Sequence, residues 1–165
     1  MNRPVVVSDS GPLIALASCS QLKLLVAVFD VIHVPQVVLD ETTADRSRPG
    51  ASDIVTFVQA HAQVCPSRED AAYIAMTAYL DDGEAQALSL AQALGCGVLI
   101  DERRGRRAAM RHGIPLFGVL GVLLQGKRIG KIKYIAPALI QMQMNGYRIS
   151  QALVDETLRL AGEVS

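Results

Sequence analysis

The stretch VVVSDSGPLIAL, Val5 to Leu16, decides how this chain is read. Val5, Val6 and Val7 form a β-branched apolar run, the composition of a strand buried on both faces. The run halts at Asp9, between Ser8 and Ser10, and Gly11-Pro12 turns the chain into a helix expected from Leu13 to about Ala27. The pattern returns at Gly97–Ile100, a second apolar run that ends at a carboxylate, Asp101.

Working outward, Val31–Val34 reads as a strand closed by Pro35, a residue suited to the first turn of the helix Gln36–Thr43. Ser47–Ser52, with Pro49 and Gly50, is a loop. A helix over Ile54–Ala62, a short strand at Gln63–Pro66 and helices over Glu69–Tyr79 and Glu84–Leu94 follow, the last closed by Gly95. After Asp101 come a basic helix to about His112, a strand at Ile114–Phe117 and a helix over Val119–Gln125. Two helices, Tyr134–Gly146 and Ser150–Ala161, complete the chain. Continuous apolar strands alternating with helices predict an α/β fold: a three-layer α/β/α sandwich around a central parallel sheet. The expected organisation is one domain over 1–165, with an α/β core at 1–133 and a C-terminal helical extension at 134–165. A chain of 165 residues buries roughly 70% of its unfolded surface, enough for a core without staples.

Sixteen Lys and Arg balance sixteen Asp and Glu, which excludes a wholesale polycation and leaves only local basic patches. Cys19, Cys65 and Cys96 are odd in number, with no CxxC spacing, and read as small core residues of a reducing compartment. Arg3, an apolar run and Leu16–Cys19 mimic an export signal, but Asp9 and Pro12 interrupt the apolar centre that such a signal needs. Leu24–Leu39, broken by Asp30, His33 and Pro35, is too polar to span a membrane. A cytoplasmic protein with no membrane partner is expected.

Four carboxylates stand out: Asp9 and Asp101 at strand ends, Glu41 in the helix after the second strand, and Glu84 in a helix's first turn. Each has an ordinary role open to it. Asp9 and Asp101 suit helix caps, Glu41 a solvated helix face, and Asp81-Asp82-Gly83-Glu84 is a capping box. Their joint placement points further, because strand-end acids on one edge of a parallel sheet lie where such sheets carry their chemistry. Two carboxylates 4 Å apart repel by about 4 kcal/mol at an effective dielectric near 20, so a cluster is protonated or holds a cation. Hard oxygen donors without His or Cys favour Mg²⁺ or Mn²⁺, which suit phosphate chemistry.

Arg103, Arg107 and Arg111 recur every four residues beside Asp101, broadened by Arg104 and Arg106. They serve either as a solvated face, with Glu102 and Arg106 pairing, or as phosphate contacts, for which Arg103, Arg104 and Arg107 are the candidates. Lys127, Arg128, Lys131 and Lys133 make a second basic cluster. With four Tyr, three Phe and no Trp, base stacking is not the dominant mode of recognition. A phosphoacceptor receiver domain would need paired acids where Ser8 and Ser10 flank Asp9, and an aspartyl-phosphate phosphatase would need an acid at Gly11. A dinucleotide site would need GxGxxG after a strand, and none is present.

VSDSGPLIAL, the VPQVVLDE helix, DDGEAQALSLA and LIDERRGRRAAMRHGI, taken in this order and spacing, resemble the PIN-like nuclease superfamily. GVLGVLLQGKRIGKI and NGYRISQALVDETLRLAGE are similar to one branch of small prokaryotic, toxin-like members. The resemblance implies the α/β/α fold and divalent-metal-dependent cleavage of RNA, often as the toxin of a toxin–antitoxin pair with a small protein antitoxin. It places Asp9, Glu41, Glu84 and Asp101 at the acidic, metal-binding catalytic positions, holding Mg²⁺ or Mn²⁺, and makes Ser10 a donor beside them. Where relatives commonly carry Gly-Thr, this chain has Gly118-Val119. The rival expectation is a catalytically weak PIN-like module that acts through nucleic acid or protein partners. For either, a homodimer is expected, with Leu139, Ile140, Met142 and Met144 serving as a pairing face or as core.

Overall fold

The computed structural model describes residues 3–164. Five strands form one sheet: β1 (Val5–Ser8), β2 (Val31–Pro35), β3 (Ala62–Cys65), β4 (Gly97–Leu99) and β5 (Leu116–Phe117). Their order is β3-β2-β1-β4-β5, and every pairing is parallel. The chain reverses its direction of winding at β1, so the switch point of the sheet lies between β1 and β4. Ser8 pairs with Leu99, and the Asp9 amide donates to the Leu99 carbonyl at 2.9 Å, so the ladder runs one residue past the strand.

Successive strand side chains alternate between two cores. Val6, Ile32, Val34 and Leu99 pack with α1 (Ser10–Ser18), α2 (Lys23–Val28), α4 (Ala51–His61), α8 (Val119–Arg128) and α9 (Ala136–Met144). Val7, Val98 and Ile100 pack with Met76 of α5 (Ala71–Met76), α6 (Asp82–Leu94) and α7 (Arg103–Arg111). The predicted three-layer α/β/α sandwich is therefore present. Each fully buried Leu or Val in these layers is worth roughly 1.5–3 kcal/mol of transfer free energy. The remaining helices are α3 (Gln36–Thr43), whose Val38 enters the first core, and α10 (Gln151–Leu160).

The expected helix over 13–27 is two helices. Ser20 adopts a left-handed φ of 59°, and its amide and that of Gln21 close onto Ala17 and Leu16, which breaks the first helix after Ser18. That helix begins earlier than expected, at Ser10, because Pro12 in its first turn has no N–H for which a helical acceptor is missing. Leu139 and Met142 lie in the core, whereas Ile140 and Met144 are exposed, so α9 divides the four apolar candidates between its two sides. Of the three cysteines only Cys19 is buried, where burial pushes its thiol up to about 11. No helix of the described residues is long and apolar enough to cross a membrane.

Candidate metal and substrate site

Asp9 stands at the N-cap of α1 yet accepts no capping hydrogen bond, and it is 4% exposed. The cap reading is therefore wrong for its side chain. Burial pushes its carboxyl up to about 7, the Ser10 amide opposes this, and the nearby charges of Asp81, Glu84 and Glu41 raise it further. A buried acid among three others is the arrangement that demands a proton or a cation.

The capping box of α6 does form: Glu84 N–H donates to Asp81 Oδ1 at 2.8 Å, and Asp81 N–H donates to Glu84 Oε1 at 3.1 Å. That occupies only one oxygen of a residue that is 2% exposed. Glu84 Oε2 is buried with no hydrogen-bond partner, and burial raises the carboxyl above its ordinary range. A desolvated carboxylate oxygen left unpaired costs several kcal/mol in a finished structure, so such an atom calls for a ligand.

Glu41 reaches the same cluster from α3, and burial, followed by the charge of Asp81, raises its carboxyl. The Ser10 hydroxyl opposes that shift, so the sequence-predicted donor serves Glu41. Space for this carboxylate exists because residue 83 is glycine: a Cβ there would lie 2.7 Å from Glu41 Oε2 and 2.8 Å from Oε1. Gly105 of α7 plays a similar part for Glu84, since a Cβ there would collide with Ile100 Cδ1 and lie 3.2 Å from Glu84 Oε2.

Asp101 is held differently. Its Oδ1 accepts from the Val119 amide at 3.2 Å and its Oδ2 from the Tyr147 hydroxyl at 3.4 Å. Burial still raises its carboxyl, while the Val119 amide, Arg106 and Tyr147 pull it down. The Val119 side chain is wholly buried in the core, so the backbone of that position, not a hydroxyl, serves the site.

Asp9 and Asp101 both line a groove of about 1110 Å³, together with Arg103, Arg106 and the turn Asn145–Ile149. The family model for PIN domains (DUF3368) matches residues 5–163. This chain belongs to that PIN-domain family.

PIN domains as a class are nucleases that generally use divalent metal ions. Among curated proteins none matches the chain. Among solved structures, a PilT N-terminus domain protein from the hyperthermophilic archaeon Sulfolobus solfataricus aligns with a TM-score of 0.51 and 11% identity, over 73% of this chain and 92% of its own. A domain of a functionally unknown protein from Methanocaldococcus jannaschii aligns with a TM-score of 0.44 and 14% identity, over 70% of this chain and 90% of its own. The first likeness supports the fold.

In this PIN domain the four acids expected from the sequence divide into two neighbourhoods that meet at Asp9. Glu41 and Glu84 bear on Asp9 electrostatically, joined by Asp81, whereas Asp101 shares only the groove with it. Among the described residues, no group of three His, Cys, Asp or Glu side chains is gathered closely enough to hold an ion as the side chains stand. The donor chemistry nevertheless fits a hard divalent cation, because the Glu84 Oε2 atom is unpaired and the Asp9 carboxyl is forced toward its protonated form.

The arginines sort by helical angle. Gly105, Ala108 and Ala109 of α7 turn inward. At roughly 100° per residue, Arg106 then lies on one side, Arg104 on the other, and Arg103 and Arg107 about 40° apart on the back. Arg103, the first residue of α7, and Arg106 line the groove, and Arg104 approaches Glu84 Oε1 at 3.9 Å. Arg107 is exposed and not among the groove residues, so of the expected four-residue series only Arg103 reaches the groove. Among the described residues no Glu102–Arg106 ion pair forms; Arg106 instead bears on Asp101. Sequence reasoning also missed Tyr147, whose signal was a rare tyrosine between Gly146 and Arg148.

Proposed function

We propose that this protein is a divalent-metal-dependent endoribonuclease, with Asp9, Glu41, Glu84 and Asp101 as the residues that hold Mg²⁺ or Mn²⁺. The observation that carries this reading is the Glu84 Oε2 atom, buried and unpaired beside the raised carboxyl of Asp9. Membership of a nuclease-type family supports it. When bound, the cation polarises the scissile phosphate and lowers the pKa of an attacking water.

The chain's own residues do the rest. Asp9 gives up its proton as the site is loaded. The Val119 amide and Tyr147 hydroxyl hold the Asp101 carboxylate in one orientation. Ser10 and the gap at Gly83 set the place of Glu41. Arg103 and Arg106 offset the charge of the substrate's phosphates at the groove wall.

The reading includes the toxin half of a toxin–antitoxin pair and a homodimer. A small reading frame adjoining the gene, whose product co-purifies with this chain and blocks cleavage, tests the first, and light scattering tests the second. The central test is cleavage of single-stranded RNA in Mg²⁺ or Mn²⁺ by wild type and Asp9→Asn. Wild type is expected to cleave at least a hundredfold faster. Equal rates, or no cleavage by either protein in both metals, would leave the rival reading of a weakly catalytic binding module.

A further inference from the structure

We infer that the cleft between α2 and the turn after α8, with Lys23 and Lys131 on its walls, is a second RNA-binding site at the amino end of the sheet, where backbone phosphates dock far from the acids. This rests on the ribonuclease reading's choice of RNA as ligand and adds a docking surface to it.

The charge of the chain is balanced in sum and unevenly distributed. The segment Arg103–Val154 carries ten of the sixteen Lys and Arg and none of the sixteen Asp and Glu. Such asymmetry suits a polyanion rather than a lone anion. Arg103 and Arg106 account for the end of the segment at the groove. From there α8 leads away: the amide of its first residue, Val119, donates to Asp101, and its last, Arg128, lies nine residues on, about 14 Å at 1.5 Å per residue.

A cavity of about 450 Å³ opens at that far end, lined by Arg3, Lys23, Leu24, Val26, Ala27 and Lys131. Its lining holds three cations and no acid. Arg3 is partly spent, since its guanidinium donates to the Val26 carbonyl and reaches Asp30 Oδ1 at 3.5 Å. Lys23 and Lys131 are exposed and, among the described residues, make no ion pair, so both ammoniums can take phosphate oxygens. Three residues beyond Lys131, Tyr134 is 55% exposed, with the Lys127 and Lys133 ammoniums 5.6 and 5.5 Å from its ring centre. An open ring among cations is the combination that takes a base beside its phosphate.

The cleft is set by the backbone. Residue 126 is glycine, and a Cβ there would lie 2.8 Å from Leu24 Cδ2, so α8 seats closely on α2. Gly130 then turns the chain with a left-handed φ of 79°, its amide donates to the Lys127 carbonyl at 3.0 Å, and the Lys131 amide donates to the Gly126 carbonyl at 2.8 Å. Arg3 precedes β1, and at about 3.3 Å per residue it stands roughly 20 Å from Asp9. At about 3.4 Å per phosphate of stacked strand, that separation is about six nucleotides.

The test is fluorescence anisotropy in chelator, where metal-dependent cleavage is off, with a labelled RNA of about sixteen nucleotides. The double variant Lys23→Gln, Lys131→Gln is expected to bind three- to tenfold more weakly than wild type, with a salt slope lower by about 1.4, the share of two phosphate contacts. Tyr134→Ala should weaken binding at least threefold and leave the slope unchanged. Lys23→Arg with Lys131→Arg should keep wild-type affinity, and so should Arg159→Gln, whose guanidinium is paired with Glu156. A double Gln variant that binds RNA like wild type overturns the inference. So does a cleft that takes inorganic phosphate by calorimetry and loses it in the double Gln variant while RNA affinity holds. Wild type that binds no RNA overturns it as well. Cleavage in Mg²⁺ or Mn²⁺ is read separately: binding weakened in the double Gln variant, with no cleavage by wild type, removes the ribonuclease reading and leaves the docking site standing.

Discussion

Glu163 and Glu84 have almost equally buried side chains, 6% and 2% exposed, and opposite chemistry. Glu163 spans the ends of three helices. Its oxygens accept from the amides of Ile135 and Ala136 at the start of α9, and Lys127 of α8 donates to Oε2 at 2.8 Å. Burial pushes its carboxyl up, but these donors outweigh it and hold the group below its ordinary range. Glu84 has its own capping amide, one distant guanidinium and an unpaired oxygen, and its carboxyl lies above the ordinary range. Burial of a carboxylate is thus no mark of function. A satisfied acid holds the fold together, and an unsatisfied one beside other acids waits for a ligand.

Asp9 is the centre of the unsatisfied group. Its folded-state carboxyl is raised from 3.8 to about 7, so the folded protein binds a proton that the unfolded chain has released across that window. Stability is therefore present below about pH 4 and lost as pH rises through 7. Asp9→Asn should be more stable than wild type at pH 8 in chelator, by on the order of 4 kcal/mol at most from about 1.36 kcal/mol per unit. The gap should close near pH 4, and Mg²⁺ should raise the melting temperature of wild type alone. Thermal denaturation across pH checks this; an Asn protein less stable than wild type at pH 8 refutes it.

At the satisfied end the sign reverses. Glu163→Gln should cost about 2–3 kcal/mol at pH 7, the loss of charge-assisted hydrogen bonds. Because the folded carboxyl lies below 4.5, that penalty should be constant above about pH 5 and shrink as pH falls through the folded value. Urea denaturation at pH 7 and pH 3 measures both. RNA cleavage should be unchanged at temperatures where the variant is folded.

Gly83→Ala sharpens the contrast with the smallest effect on the fold. The new Cβ claims the space of the Glu41 carboxylate. Alanine is preferred over glycine in a helix by up to about 1 kcal/mol, so the melting temperature should hold or rise slightly. Mg²⁺ binding, read by calorimetry, should weaken about tenfold. Unchanged metal affinity would place Glu41 outside the site.

Much of the fold is legible in the order of residues alone. The valine run ending at Asp9 and the run ending at Asp101 announce buried parallel strands, because a segment apolar on both faces has few other homes. Asp81 and Glu84 announce a capping box three residues apart, a local bond that needs no tertiary contact. The helix break at Ser20 is not legible, since serine there carries no signal for a left-handed φ. Nor is the face of α7, because the arginines repeat on more than one side and only the docking of Gly105 against Ile100 chooses between them.

Local order thus comes from covalent neighbours: hydrophobic runs, caps and turns are set by residues within one or two helical turns of each other. The strand order that puts β4 beside β1 comes from packing across about 90 residues of chain, and it alone sets Asp9 and Asp101 on one groove. The approach of Tyr147 to Asp101, 46 residues away, and the unpaired oxygen of Glu84 belong to the same level. Which carboxylates are satisfied is a property of desolvation and of donors brought from elsewhere in the chain, and those exist only once the layers have closed.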